Sequence, residues 1–492
     1  MSKRSAVVAL FAALVIAVAW SPASSGSRSY PQAPMQISTE GLTAEEQIQR
    51  QADLSLWLLS EAPGAALGAP VRVEPSREEI DAVEQSSRSS VPMKIGLVKA
   101  MTPGIEVDGL TFGGPSQLPR KGATLRAVPT PDGGAVWTMP VVSDDAGAIR
   151  LHVDQMSLPP NAALYVYNRD GEAFGPYTDA GPEGSGEFWT TAVFGSEAIL
   201  QIRLTAPVAE SDLMAVSLRV EEAGIITRAF TEGLRRPDPT ALSAAVAFCG
   251  NATCIVDATC VNATPADPAK LAVAKMEWVQ GAFIYTCTGG LIADNNPTQS
   301  NFFLTANHCL SKNNAAQRVD FYWRFATPSC NGTCPSNAAW PFKTTGATVS
   351  ASNRKGDFTL LHLNTAPPAG SVFLGWSSAP VANTSGAQLW RISNPGFGPQ
   401  VYSQHNVDTA TGTCSGWPRG QSIYSRDIDG AIDGGSSGSP IVNSSSQIVG
   451  QLSGTCGSSP SQVCSSGPGE ANATVDGAFA FYFATVSPIL DP

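Results

Sequence analysis

The chain has 492 residues, with 30 basic against 41 acidic side chains, 43% hydrophobic residues and 14% charged ones. So small a charged fraction, against roughly 25% in an average globular chain, argues against acidic disorder and against a basic nucleic-acid-binding protein. With 46 Gly and 37 Pro it is also too often broken for long coiled coils, and its length suggests two or three domains.

Lys3 and Arg4 precede an apolar run from Ala6 to Trp20, with small and turn-forming residues through Gly26. A basic start, a short apolar stretch and Ala17-x-Ala19 describe a secretory signal peptide over residues 1–23, cut after Ala19 or Ala23. A membrane anchor needs roughly 18 or more apolar residues, so the expectation is a secreted, extracellular bacterial protein with no membrane contact after signal cleavage. Export suits the even count of 10 Cys, because disulfides persist outside the cytosol.

Residues 24–120 read as one helix among irregular segments. Residues 27–40 are polar and expected to be disordered. Thr43 followed by Glu46 is a capping box, and the mixed apolar and charged positions that follow predict an amphipathic helix over 43–60. Pro and Gly break residues 61–120.

From Leu125 onward the pattern turns strand-like. Ala135–Val142, Ala148–Val153, Ala163–Tyr167, Phe188–Val193, Ala198–Leu204 and Val216–Val220 are short apolar runs separated by turn signals. They predict a β-sandwich-like pro-domain over 121–222. Its one histidine, His152, is expected at a strand edge. Residues 223–248, containing the exposed sequence Arg235–Thr240, read as linker and processing zone.

Residues 249–492 hold all ten cysteines and again read as short strands. They carry 13 acidic and 11 basic residues, a net of −2, against 28 and 19, a net of −9, in residues 1–245. Three islands here could do chemistry. Phe302–Leu310 places His308 beside Cys309 after an apolar strand. Gly356–Leu363 places Asp357 at the mouth of another. Gly434–Val442 places Ser437 in a glycine-bounded loop. A serine hydroxyl needs an imidazole to take its proton, and the imidazole needs a carboxylate to hold its tautomer. Glycines let backbone N–H groups, here those of Gly435 and Ser437, turn toward a developing oxyanion. His362 reads as a packed or edge histidine and His405 as a solvent-facing loop residue.

"LTANHC", "DFTLL" and "GSSGSP" together resemble the three boxes of chymotrypsin-fold serine proteases, and more closely those of bacterial lysyl endopeptidases. The resemblance implies an all-β double-barrel protease domain over 249–492, preceded by the sandwich-like pro-region with its short N-terminal helix. It implies His308 as general base and acid, Asp357 as its orienting carboxylate and Ser437 as nucleophile. It also implies protein or peptide substrates, no cofactor and no metal. Extended substrate would pair with the main chain near 451–454 as an added strand. The pro-region would serve as inhibitor or folding aid. Disulfides Cys254–Cys456, Cys260–Cys330 and Cys287–Cys309 follow from the same likeness, while the pairing of Cys249, Cys334, Cys414 and Cys464 stays open.

Two positions depart from trypsin. Ser436 stands where trypsin's N-terminal ammonium finds its carboxylate, and no "IVGG"-like start appears near residue 250, so activation is expected by removal of a blocking pro-domain, cut between Arg228 and Cys249. Ala431 stands where trypsin has its pocket Asp. The candidates for a specificity pocket are Ala431, Ser453, Thr474 and Asp476, with Asp429 and Asp433 beyond them. A preference for Lys or Arg before the scissile bond competes with a small or apolar one. The rival from another class is a catalytically silent secreted binding protein on a protease fold.

Overall fold

A computed structural model describes residues 29–61, 69–87, 89–113, 125–232, 248–335, 342–396 and 398–492. The expected signal peptide and the Arg235–Thr240 linker lie outside these residues.

The first helix, Ala44–Glu61, begins where the capping box places it: the Thr43 hydroxyl accepts from the Glu46 N–H and the Glu46 carboxylate from the Thr43 N–H. A second helix, Arg77–Ser87, and a long strand, Met93–Asp108, occupy the stretch expected to be irregular. Pro103 and Gly104 hid that strand, and the ladder to Ser217–Thr227 does slip beside them. Gly96 within it is required by close approach, since a Cβ there would lie 2.3 Å from the Ile225 carbonyl oxygen.

The described residues between Met93 and Thr227 form a two-sheet sandwich. One sheet runs through Ala173–Tyr177, Ala162–Tyr167, Glu197–Leu204, Ala135–Val142, Leu125–Pro129 and Leu110–Phe112. The other contains Ala146–Ser157, Ser217–Thr227 and Met93–Asp108. Trp137, Met139, Leu200 and Ile202 meet Ile149, Leu151, Val153 and Val220 in the shared core. The two-residue period that points Ile149 and Leu151 inward sends Arg150 and His152 to the opposite face. His152 therefore sits inside the sheet rather than at its edge, stacked on Trp189 at 4.8 Å and bonded to Glu222 and Glu187.

The second sheet does not stop at the sandwich. Met93–Asp108 pairs with Phe283–Leu291, matching Leu97 with Phe283 and Met93 with Thr286, so the sandwich and the first barrel share one 12-stranded sheet. That barrel continues through Val273–Gln280, Phe302–Ala306, Asp320–Trp323, Phe342–Thr345, Ala347–Asn353 and Phe358–Leu363. In the second barrel Ile448–Gly457 pairs with both Pro440–Val442 and Asn472–Ala478. This closes a ring with Gln388–Ser393, Val401–Val407 and Ser422–Asp429. The helix Phe479–Leu490 packs where the barrels meet, through Phe479 and Tyr482. No helix among the described residues is long and apolar enough to cross a membrane.

Beside the shared sheet lies a buried charged contact. Arg150, fully buried, donates to the carbonyls of Thr190 and Arg318 and faces Asp320 at 3.5 Å and Glu277 at 3.9 Å. Lys343 donates to Glu172 at 2.7 Å, and the Ala192 N–H to Asp320 at 3.1 Å. Tyr322 donates to Glu277 at 2.6 Å and lies under Lys275. Burial pulls Lys275 well below the usual ammonium range and pushes Glu277 up, which is the cost such a network carries.

Candidate active site

Phe302–Ala306 and Phe358–Leu363 are antiparallel neighbours with Ala306 opposite Phe358. Their ends therefore deliver His308 and Asp357 side by side. His308 Nδ1 lies 2.8 Å from Asp357 Oδ2, and the His308 backbone N–H donates to Oδ1 at 2.9 Å. Asp357 is held in left-handed backbone geometry, φ +48°, which a non-glycine residue keeps only when its surroundings fix it.

Two residues that the sequence reading missed provide that fixing. The Gln451 amide donates to the carbonyls of Gly356 at 3.0 Å and Asp357 at 2.9 Å. The Tyr482 hydroxyl donates to Gln451 Oε1 at 2.5 Å, and its ring stacks on Phe358 at 4.1 Å. Burial, aided by the nearby Asp476 and Asp357 carboxylates, pushes the Tyr482 hydroxyl far up, so it stays a donor. Gln451, the one polar residue of the run Ile448–Leu452, was the only signal available.

Ser437 sits on the opposite wall, in a loop pinned to the first barrel. The Thr288 N–H donates to the Ser437 carbonyl and the Thr288 hydroxyl to the Gly435 carbonyl, both at 2.8 Å. Gly438, φ +83°, leaves no room for a side chain: a Cβ would fall 2.3 Å from the Thr305 hydroxyl. Gly435, φ +91°, is equally confined by Gly396. Ser436 is fully buried and accepts from the Ser393 hydroxyl at 3.0 Å.

His308, Asp357, Gly435 and Ser437 line one cleft of about 740 Å³. Its other walls come from Leu452–Thr455 and Pro460–Val463, and from pro-region residues Ser89, Ser90, Val91 and Met93.

The pocket candidates fare unevenly. Ser453 lines the cleft, its hydroxyl buried without a partner, and Asp433 lines it too. Asp476 does not: it is fully buried and bound to Arg391 at 2.5 Å, which cancels its charge. Thr474 is fully buried and donates to Asp427 at 2.7 Å. Ala431 is buried against Ile255 and Val401, outside the cleft lining. Asp429 ends a strand, opposite Gln404. His405 is no loop residue; it is fully buried between Asp427 at 2.9 Å and Ser403 at 2.8 Å. His362 is exposed and meets Phe302 edge-on.

The structure joins Cys260 to Cys330 and Cys287 to Cys309. Cys254 bonds Cys464, not Cys456, because its segment packs beside Val463, while Cys456 lies against Cys414 and Trp417 and bonds Cys414. Cys249 bonds Cys334. Among the described residues the one grouping of metal-ligand types is Cys287, His308 and Cys309, and its sulfurs are spent in a disulfide.

The chain matches two family models: "Lysyl endopeptidase N-terminal domain" over residues 67–222 and "Lysyl endopeptidase, C-terminal domain" over 250–467. A lysyl endopeptidase of Pseudomonas aeruginosa is 27% identical across 81% of this chain and 83% of its own. Among solved structures, the Rv3671c protease from M. tuberculosis in its active form aligns at 18% identity and a TM-score of 0.32, over 49% of this chain and 91% of that one. An HtrA-type protease with a tripeptide aligns at 17% identity and 0.32, over 46% of this chain and 62% of that one.

Proposed function

The chain is a serine endopeptidase of the chymotrypsin fold similar to the lysyl endopeptidases, and we propose that Ser437, His308 and Asp357 carry its chemistry. One observation carries this reading: His308 is fixed to Asp357 by two hydrogen bonds, and both line the cleft that Ser437 also lines. Ser437 Oγ attacks the scissile carbonyl while His308 Nε2 takes its proton, and Asp357 holds Nδ1–H and stabilises the imidazolium. The N–H groups of Gly435 and Ser437 receive the oxyanion. His308 then protonates the leaving amine, and a water it activates releases the acyl group. Substrate enters extended, as a strand beside Leu452–Gly454.

The chain is made, in this reading, as a secreted preproprotein. Residues 1–23 are the signal peptide, 24–222 the pro-region, 223–248 the processing zone and 249–492 the enzyme. The lip from Ser89 to Met93 stands in the cleft's wall, and the Met93 sulfur lies 3.1 Å from where a side chain on Gly434 would begin. With the lip in place the cleft is narrowed, and it is freed when the pro-region departs after the processing zone is cut. The disulfide Cys249–Cys334 would hold the new terminus. A lysine preference rests on the kinship alone. Asp433 places a carboxylate in the cleft lining, so cleavage after Lys should weaken in Asp433→Asn and persist in Asp476→Asn.

The test is covalent labelling of the cut, separated enzyme by a fluorophosphonate. Labelling that vanishes in Ser437→Ala supports the reading. An unlabelled enzyme with wild-type Ser437 would favour a silent binding protein.

A further inference from the structure

Residues 27–40 carry few apolar side chains and read as disordered, yet residues 30–43 lie along the enzyme domain as a strap. Gln32–Ala33 pairs with Trp376–Ser377 and Gln36–Ile37 with Val372–Phe373. The Ser378 N–H and hydroxyl both donate to the Pro31 carbonyl, at 3.0 and 2.8 Å. The Ser38 N–H donates to the Ser371 carbonyl, the Gly370 N–H to the Ser38 carbonyl and the Ala369 N–H to the Leu42 carbonyl, all within 2.9 Å. Ala33 is fully buried in the enzyme's own core against Trp376. Backbone bonding of this kind explains why composition gave no sign of it: the affinity comes from the main chain, and one small side chain fills the gap.

The strap covers the connector between the two barrels, and none of the residues it bonds lines the catalytic cleft. It is also remote from the sandwich anchor. The 18-residue helix Ala44–Glu61 leads from one to the other, a rise of about 27 Å. At its far end Leu58 and Trp57 pack on Tyr167, Ile199 and Tyr165 of the sandwich. The pro-region thus grips the enzyme at two separate places.

We propose that the groove over residues 369–378 is a second pro-region site, occupied by residues 30–43, which makes the severed pro-region a bivalent and slowly released inhibitor. This rests on the zymogen reading above and adds what that reading leaves open, namely why a cut between 232 and 249 does not by itself free the cleft. When the sandwich lets go, the strap keeps it at high effective concentration. Tethering of that kind raises retention by about 10²–10⁴-fold over either contact alone.

Gly375 gives a clean handle. The three atoms nearest a Cβ built on it are all strap backbone: Ala33 O at 2.4 Å, Met35 N and Pro34 C at 3.0 Å. Gly375→Ala therefore meets the strap's main chain first. The experiment places a foreign protease site within 233–247 of the full chain, cuts it, and follows both departure of the pro-region on a sizing column and hydrolysis of a small ester. In Gly375→Ala the pro-region should leave at least about 100-fold faster, with the same final kcat/KM. Removal of residues 29–42 should act in the same direction. Equal release rates in wild type and Gly375→Ala would overturn the strap's role. Release that brings no gain in hydrolysis would instead overturn the zymogen reading, and the release rates would still judge the strap.

Discussion

The sandwich of residues 69–227 holds together by an apolar core running from Val71 to Ile225 and contains no cysteine. The barrels after residue 248 have a comparable core and add five disulfides, one of them beside His308. Between the two runs no disulfide but a strand pairing, an apolar cluster that sets Ile95, Phe194 and Ile226 against Val279, Ile284 and Phe325, and a buried set of charges around Arg150, Asp320, Glu277 and Lys343. The barrels are cross-linked, the sandwich relies on packing, and their seam adds buried charge pairing to packing. The charged part of that seam is its sensitive part, because removing a single partner strands the rest.

Four variants would break or sharpen that contrast. Ser437→Ala strips the durable half of its chemistry, and kcat in the separated enzyme should fall by about 10⁴-fold or more while thermal stability is unchanged. Arg150→Ala attacks the seam. It leaves Asp320 and Glu277 with Lys275 as their remaining buried cation, so the cut pro-region should bind the enzyme more weakly by about 3–5 kcal/mol, read by titrating pro-region against activity. The paired Cys287→Ser and Cys309→Ser change should destabilise the barrels by about 2–4 kcal/mol in denaturant unfolding and leave the isolated sandwich's midpoint where it was. Tyr482→Phe is the mildest. It removes one bond to Gln451 and keeps the stacking on Phe358, so kcat should fall about 3–10-fold with KM unchanged. A purely structural role would lower stability and spare kcat.

The catalytic islands could be read from sequence because each is a local string: an apolar strand, a turn and a chemical side chain within ten residues. The sandwich strands were legible for the same reason. What escaped reading is set by partners far along the chain. His405 looks exposed between Gln404 and Asn406, yet Asp427, brought from the next strand, pays for its burial. Asp476 looks like a free pocket charge, but Arg391, 85 residues away, neutralises it. Cys254 finds Cys464 through a contact across 210 residues that spacing could not anticipate. The drop in net charge at residue 246 marked a true boundary in composition. It gave no hint that a sheet runs across it, because ladder pairing is a backbone property.

The central claim is that the pro-region controls access to Ser437. The direct measurement is the second-order rate of fluorophosphonate labelling of Ser437 in the intact chain, and again after the processing zone is cut and the pro-region removed. The account predicts a rate at least about 100-fold faster in the separated enzyme, a difference of roughly 2.7 kcal/mol in access. Equal rates in the two forms would contradict it.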